Sequence, residues 1–209
     1  MAPQMREATA ADIPAIVDVY LDSFTDEIFS RQVYPRGCQS SMDYWNKTVR
    51  EEIDEDHATW LLVTDTDPAT GAEEVLGFLK WVAPHDVDWP EADEDGYPPE
   101  GLPELAVAYY KGIFAGHRAL MEGKQHWYLD MMGVRRKAQG KGLATMMVNW
   151  GLERSDKDGA PSYVDAAGQS LSYYQKFGFV VHDKQTYNSP EGAVEVYFMV
   201  RESKAASDK

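Results

Sequence analysis

The sequence predicts one α/β domain, with a central mixed, mostly antiparallel sheet flanked by helices. Strand-like runs and amphipathic segments follow one another in the order β-α-α-β-β-(insertion)-β-α-β-α-β-β. Only the section from Tyr128 to Ala167 reads as strand–helix–strand, a unit whose two strands lie parallel. No linker-like stretch divides the 209 residues, a length that suits a single core.

The first part of the chain predicts a strand, two helices and a hairpin. We expect the first strand at "QMREAT" and a helix over "TAADIPAIVDVYLDSF", which Thr9 caps with Asp12 three residues on. A second helix is expected over "SSMDYWNKTVREEIDED", capped by Ser40 or Ser41. Two strand-like runs surround the turn-forming "DPATG" and predict a hairpin.

A loop–helix insertion at about residues 84–125 separates the third and fourth strands. Its loop carries seven acidic residues between Asp86 and Glu100, and its helix is expected over "LPELAVAYYKGIFAGHRALM". The later elements are expected, in order, at "HWYLDMMGV" (strand), "GLATMMVNWGLERSDKDG" (helix), "PSYVDAA" (strand), "SLSYYQKFGF" (short helix and turn), "VVHDKQTY" and "AVEVYFMV" (antiparallel strands). We expect the domain to span residues 1–202 and residues 203–209 to form a disordered tail.

Composition excludes several classes of function. The net charge of −15 argues against a nucleic-acid partner and favours a cationic one. Cys38 is the only cysteine, which excludes a disulfide framework and a cysteine-based metal cluster. The N-terminus has no apolar core of a signal peptide, and no stretch is long enough for a membrane span. We therefore expect a cytoplasmic protein without metal or membrane partner, either a monomer or a homodimer.

The segment after the fourth strand has the composition of an anion-binding turn. Gly140 and Gly142 precede a helix, so backbone N–H groups can point into one concavity at the positive end of the helix dipole. Four basic residues crowd around them in an otherwise acidic chain: Arg135, Arg136, Lys137 and Lys141. A solvated basic turn is the alternative interpretation.

Three phosphate-binding motifs compete for this turn. A P-loop needs four residues between its glycines and a Lys-Ser/Thr after the second, and "GKGLAT" has neither. The dinucleotide motif G-x-G-x-x-G is closer, because Asp165 ends the next strand where a ribose-binding acid belongs; however, Thr145 replaces the third glycine. The third motif, Q/R-x-x-G-x-G/A, is matched by "QGKGLA", Gln139 to Ala144.

With a second element, "YYQKFGF" (Tyr173 to Phe179), this motif resembles the GNAT superfamily of acetyltransferases, which also has a Tyr-x-x-x-Gly-Phe element. The resemblance covers Trp127 to Phe179 and implies acetyl-CoA as co-substrate. It implies that the amides of the turn hold the diphosphate and that the fourth strand, splayed from the next, pairs with the pantetheine arm. Gly133 is the expected bulge site. The implied cofactor-binding residues are Met132, Gly133, Val134, Arg135, Lys137, Gln139, Gly140, Lys141, Gly142, Leu143 and Ala144.

Two residues are expected to carry the reaction. The resemblance implies that Tyr174 protonates the departing thiolate, with Tyr173 or a packing role as alternatives. Asp130 is expected to act as the base that deprotonates the amine, on one strand face with Tyr128 and Met132. It can instead be a counter-ion of the substrate, or an ion-pair partner of Arg135, Arg136 or a neighbour.

Two histidines are expected to have structural roles. His126 and His182 are isolated in the sequence, which predicts surface positions or a satisfied hydrogen bond.

The insertion can contribute to a substrate site. Its acidic loop is either solvated or attracts a cation. Aromatic residues of the insertion can line a substrate site: Trp89, Tyr97, Tyr109 and Tyr110.

The predicted function is N-acetyl transfer, through a ternary complex, from acetyl-CoA to a primary amine of a small cationic or arylalkyl molecule. Two alternatives stay open: a protein acetyltransferase acting on lysines or N-termini, and an acyl-CoA-binding module without catalysis.

Overall fold

A computed structural model describes residues 3–66, 70–86, 89, 91–92 and 95–204. One sheet is built, in the order β1-β2-β3-β4-β5-β7-β6, from these strands: β1 Gln4–Glu7, β2 Ala58–Thr66, β3 Glu73–Val82, β4 Trp127–Val134, β5 Ser162–Ala167, β6 Val180–Ser189 and β7 Gly192–Arg201. Neighbouring strands are antiparallel except β4 and β5, which are parallel. The predicted mixed, mostly antiparallel sheet is confirmed.

Helices cover both faces of the sheet. They are α1 Ile13–Ser23, α2 Ile28–Val33, α3 Gln39–Glu52, α4 Pro103–Met121, α5 Leu143–Asp158 and α6 Leu171–Gln175. Side chains alternate along β2, so Leu62 packs under α1 and α3, whereas Leu61 and Val63 pack in the cluster that includes α5. The core therefore has one layer on each side of the sheet.

Helix starts agree with the sequence in part. The N–H of Thr9 donates to Asp12 Oδ2 at 2.9 Å, as the capping pattern predicts, and a short 3₁₀ turn leads into α1. The prediction for α3 was wrong, because its N-cap is Cys38 and Ser40 lies inside the helix, donating to Glu100. Helix α2 was not predicted; it is six residues long, and Glu27 caps it by accepting N–H bonds.

Helix α4 belongs to the insertion and lies between β3 and β4 in the chain, as predicted. It packs against β6 and β7 at two glycines. A Cβ at Gly116 would lie 2.5 Å from the Phe198 ring, and one at Gly112 would lie 1.8 Å from the Tyr187 hydroxyl. Only glycine allows this close approach, which fixes α4 over the end of the sheet.

The C-terminal residues are anchored to α5. Arg201 makes two bonds to Asp156, at 2.8 and 2.9 Å, and the N–H of Lys204 donates to the same carboxylate. Ser203 is buried. Of the predicted tail, Ser203 is thus packed and Lys204 is exposed but held by its backbone, and the rest lies outside the described residues. Across the described ranges, no helix has both the length and the apolar character needed to cross a bilayer.

Candidate active site

Strands β4 and β5 separate in the middle of the sheet. They pair only at Trp127↔Ser162, Tyr128↔Tyr163 and Leu129↔Val164, although β4 continues to Val134 and β5 to Ala167. Beyond Leu129, none of the described residues pairs with β4 on the β5 side. This is the opening that the resemblance to the GNAT superfamily implied at this point.

The separation starts at a bulge at Asp130. Across β3, Lys80 faces Met131 and Trp81 faces Leu129, so Asp130 is the extra residue. The prediction of a bulge at Gly133 was wrong, because Gly133 faces Phe78 in regular register. Glycine is needed there for another reason: a Cβ would lie 2.6 Å from the Ser23 hydroxyl of α1.

The bulge also changes which side chains share a face. Asp130 and Met131 both line a cavity on the α3 and α4 side, whereas Met132 packs with the α5 side. The expectation that Asp130 and Met132 share a face was therefore wrong. The rule of alternation fails because a bulge adds one residue to the strand.

A cleft of about 470 Å³ follows the splayed end of β4. Four of the predicted cofactor-binding residues line it: Met132, Gly133, Val134 and Gln139. Its other walls come from the end of α1 and the segment after β5, namely Ser23, Phe24, Gln169 and Ser170 among others. The Nε2 of Gln139 donates to the Val134 carbonyl at 3.1 Å and ties the turn to the strand.

The predicted anion-binding turn has the conformation that glycine permits. Gly140 and Gly142 have φ of 75° and 81°, and Gly142 is the N-cap of α5. No atom lies within 4 Å of the position where a Cβ would stand at either glycine. Leu143 is buried beneath the turn, and Ala144 follows it in the first turn of α5. Open space before a helix N-terminus suits a diphosphate.

Most of the basic cluster beside this turn is ion-paired. Arg135 lies 2.6 Å from Asp18, and Lys137 lies 2.5 Å from Glu74. Arg136 faces the carboxylates of α1 and the segment after it. Lys141 is exposed, and its ammonium has no ion-pair partner in the described part of the chain. Lys141 is thus the side chain best placed to meet a phosphate.

A second cavity, of about 940 Å³, lies across β4 from this cleft. Its lining combines carboxylates with aromatic rings. The carboxylates are Asp43, Glu51, Glu52, Glu55, Glu91 and Asp130, and the rings include Tyr44, Trp45, Phe114 and Tyr128. Trp89, Tyr97 and Tyr110 of the insertion also line it. Tyr109 does not, because it stacks on Phe29 at 3.8 Å.

A buried lysine organises the carboxylates of this cavity. The Nζ of Lys80 lies 2.8 Å from Asp130, 2.9 Å from Glu52 and 3.6 Å from Glu55. Burial lowers the pKa of Lys80, but the charges of Asp130 and Glu52 outweigh it and raise that pKa overall. Burial also raises the pKa of Glu52 to about 7. Three carboxylates around one ammonium leave the cavity with excess negative charge.

The ion pair of Asp130 differs from the partners that the sequence suggested. Its partner is Lys80 of β3, not Arg135 or Arg136. The signal was present in "VLGFLKWV", where one charged residue interrupts an apolar strand. Buried charges are rare unless they are paired.

His126 is not isolated. It is buried, and its Nε2 lies 2.8 Å from Nε2 of His117 on α4. Its Nδ1 lies 2.8 Å from the Lys124 carbonyl. A carbonyl only accepts, so Nδ1 of His126 carries the proton and its Nε2 accepts from His117. His182 is exposed, as predicted.

Tyr174 and Tyr173 differ in environment. Tyr174 is buried in the cluster that contains Val134 and Leu143, and burial raises the pKa of its phenol. Tyr173 is only partly buried. Tyr174 therefore packs in the core layer on the α5 side of the sheet.

The comparisons with known proteins agree with this geometry. A family model for an acetyltransferase (GNAT) domain matches residues 95–190. The structure is similar to that of histone acetyltransferase HPA2 and related acetyltransferase from Corynebacterium glutamicum, with 20% identity, 97% of each chain covered and a TM-score of 0.63.

Two further structures are similar over nearly the whole chain. An N-acetyltransferase from Staphylococcus aureus has 15% identity, with 97% of this chain and 99% of that chain covered and a TM-score of 0.59. The paia N-acetyltransferase from Thermoplasma acidophilum, solved in complex with coenzyme A, has 11% identity, the same coverage and a TM-score of 0.54. At these identities the likeness shows the fold. Residues 95–190 thus match a GNAT acetyltransferase domain, and the described residues as a whole have the fold of GNAT acetyltransferases.

Proposed function

We propose that this protein transfers an acetyl group from acetyl-CoA to the primary amine of a small cationic molecule that carries an apolar or aromatic part. The supporting observation is that consecutive residues of β4 line two cavities. Asp130 and Met131 line the acidic, aromatic cavity, and Met132 to Val134 line the cleft that leads from the glycine turn. Two substrates bound there would meet at one strand.

The cleft and the turn have the features that coenzyme A requires. Backbone N–H groups from Gln139 to Ala144 would hold the diphosphate, and Lys141 would add a positive charge. The edge of β4 that the splay leaves without a partner would pair with the peptide-like pantetheine arm. When bound, acetyl-CoA supplies an acetyl group activated as a thioester.

The larger cavity, which we call the acceptor cavity, favours a cation. Its carboxylates outnumber its lysines, and aromatic faces such as those of Tyr97 and Tyr110 bind cations and apolar groups alike. Asp130 and Glu52 would hold the substrate ammonium beside Lys80. Because Asp130 is already ion-paired, we assign it the role of counter-ion rather than of base.

The reaction also needs proton transfers. An alkyl ammonium has a pKa near 10, so supplying its neutral form at pH 7 costs about 4 kcal/mol, at about 1.36 kcal/mol for each pKa unit. At the end of the reaction, the phenol of Tyr174 would give its proton to the departing thiolate. A phenol whose pKa is raised by burial stays protonated at neutral pH and can serve as this donor.

The decisive experiment mixes the purified protein with acetyl-CoA and a panel of amines, and follows thiol release. Diamines, arylalkylamines, aminoglycosides, amino acids and a basic peptide would be compared. We expect turnover with small cationic amines. Silence across the panel, together with uptake of coenzyme A in equilibrium dialysis, would favour the binding module instead. Thiol release with the basic peptide alone would favour a protein acetyltransferase.

A further inference from the structure

Asp165 is a partly buried carboxylate that the proposed roles leave unused. It follows Val164, the last residue of β5 that pairs with β4, so it lies where the two strands begin to separate. Its Oδ2 accepts the hydroxyl of Tyr128 at 2.9 Å, and its Oδ1 accepts the hydroxyl of Tyr163. Two phenols thus converge on one carboxylate at the base of the opening.

The two phenols differ in what they reach. Tyr128 on β4 lines the acceptor cavity, beside Asp130. Tyr163 is fully buried, and the ring of His117 stacks on it at 4.1 Å with an interplanar angle of 6°. Of this pair, Tyr128 is therefore the one that connects Asp165 to the place where an amine would bind.

The surroundings of Asp165 suit a group that accepts a proton near neutral pH. Burial raises the pKa of Asp165 to about 7; the two phenols oppose this, and the negative charge of Asp130 adds to it. Tyr109 of α4 and Tyr187 of β6 also face this charge; a phenol is neutral at pH 7, and burial raises the pKa of both further.

The nearby histidines do not supply a cation. His117 donates its Nε2 proton to His126, and burial, followed by the charge of His126, lowers the pKa of His117 to about 3. The His117 ring beside Tyr128 and Tyr163 is thus neutral at working pH. Asp130 is held by Lys80 and is the weaker candidate for the base.

Building on the proposed function, we infer that Tyr128 and Asp165 together remove the proton from the acceptor amine. The Oη of Tyr128 takes a proton from the ammonium while its own O–H proton passes to Oδ2 of Asp165. The N–H bond breaks, its electron pair stays on nitrogen as the nucleophilic lone pair, and Asp165 becomes a neutral carboxylic acid. Tyr128 ends as it began. The proton on Asp165 is the one that the overall reaction releases to solvent.

In this scheme Tyr128 is the catalytic residue and Asp165 acts through it. The matched test replaces each phenol in turn, since Tyr128→Phe and Tyr163→Phe each remove one hydrogen bond to Asp165 and keep the ring. We expect Tyr128→Phe to lower kcat about 100-fold, the usual effect of losing a general base. Tyr163→Phe should keep kcat at high pH within a few fold of the wild-type value. It should raise the apparent pKa above which kcat becomes independent of pH. Equal losses in both variants would overturn the inference.

The pH profile of kcat provides the second readout. For an acceptor that the wild type acetylates, we expect kcat to rise with pH and to level off above an apparent pKa near 7. Asp165→Asn should lower kcat about 100-fold and abolish this limb, with little change in the KM for the amine. Glu52, whose pKa is also about 7, is the control: Glu52→Gln should raise KM but keep the limb.

The outcomes separate the inference from the proposed function. A wild type that acetylates no amine overturns both. A wild type that is active, with an acidic limb that survives in Asp165→Asn or disappears in Glu52→Gln, overturns only the proton path. Thermal melting of every variant at one pH verifies that each is folded, and a carboxyl ¹³C titration of wild-type Asp165 near pH 7 supports the assignment without reference to activity.

Discussion

Among single side chains, the two adjacent tyrosines of α6 give the simplest test of the proposed chemistry. Tyr174→Phe should lower kcat about 100-fold, because the departing thiolate loses its proton donor, and should leave coenzyme A affinity unchanged. Tyr173→Phe, one position away and only partly buried, is the matched control and should keep kcat within a few fold. Kinetics with saturating amine measure kcat, and equilibrium dialysis measures the affinity for coenzyme A. The reverse pattern would assign the role to Tyr173.

Lys80 should be as important for stability as for binding. Lys80→Met leaves Glu52 and Asp130 in a partly buried site without a cation, which should cost about 3 kcal/mol of unfolding free energy at pH 8. The loss of unfolding free energy should become smaller as the pH falls below 7, since protonation neutralises a carboxylate that has lost its cation. Urea unfolding at pH 6 and pH 8 measures the difference. A loss that stays constant over this range would exclude the electrostatic explanation.

The residues in and around the two cavities show which parts of a site can be predicted from a sequence. "QGKGLA" was sufficient to locate the glycine turn before α5, because this motif is local and its backbone geometry follows from glycine, whereas the role of Tyr174 stays a prediction. The partner of Asp130 and the His117–His126 pair were missed. Those contacts join β3 to β4 and α4 to the segment before β4, so they depend on register and tertiary packing.

Among helices and strands, α5 carries a glycine in the left-handed region at each end, Gly142 and Gly159. Alanine should strain the backbone equally at both, by about 1 kcal/mol, and meets no atom within 4 Å at either. Only Gly142→Ala places a methyl group where the diphosphate would lie. We expect it to weaken coenzyme A binding at least 10-fold in calorimetry, whereas Gly159→Ala binds normally. Equal affinities would contradict the proposed turn.

The order and type of the strands could be predicted because turn residues and hydrophobic alternation are local signals. Where β4 bulges could not be predicted, because the bulge at Asp130 is defined by its pairing with Lys80 and Trp81 on β3. The N-cap of α3 was misplaced for a similar reason. Ser40 is a good capping residue, but its hydroxyl is used by Glu100, a contact distant in sequence.

For the molecule as a whole, burial of Asp165 and Glu52 predicts how stability depends on pH. Both groups have a pKa of about 7 in the folded protein, above the ordinary values of 3.8 and 4.5. The folded state therefore holds more protons than the unfolded state between about pH 4 and pH 7, and stability falls as the pH rises through this range. Melting temperatures from pH 5 to pH 8 measure the slope, which should be reduced in Asp165→Asn.

The net charge of −15 should be visible in the kinetics. An acidic surface around an acidic acceptor cavity attracts cations over a Debye length of about 10 Å at 0.1 M salt. Raising the ionic strength from about 0.05 to 0.5 M should therefore lower kcat/KM for a dicationic amine several fold. The control is a monoamine whose ammonium is its only charged group, and its kcat/KM should fall less. An equal fall in kcat/KM for both amines would mean that salt acts on the protein rather than on the association of the charged amine with it.

One strand borders both cavities, with Met131 facing one and Met132 facing the other. Ligands bound on the two sides would contact the same few backbone units, and we expect them to be energetically linked through these units. Thermodynamic reciprocity then requires that coenzyme A and the amine change each other's affinity by the same factor. Coenzyme A without an acetyl group cannot react with the amine, so both titrations can be run to equilibrium in either order of addition, and the two ratios must agree.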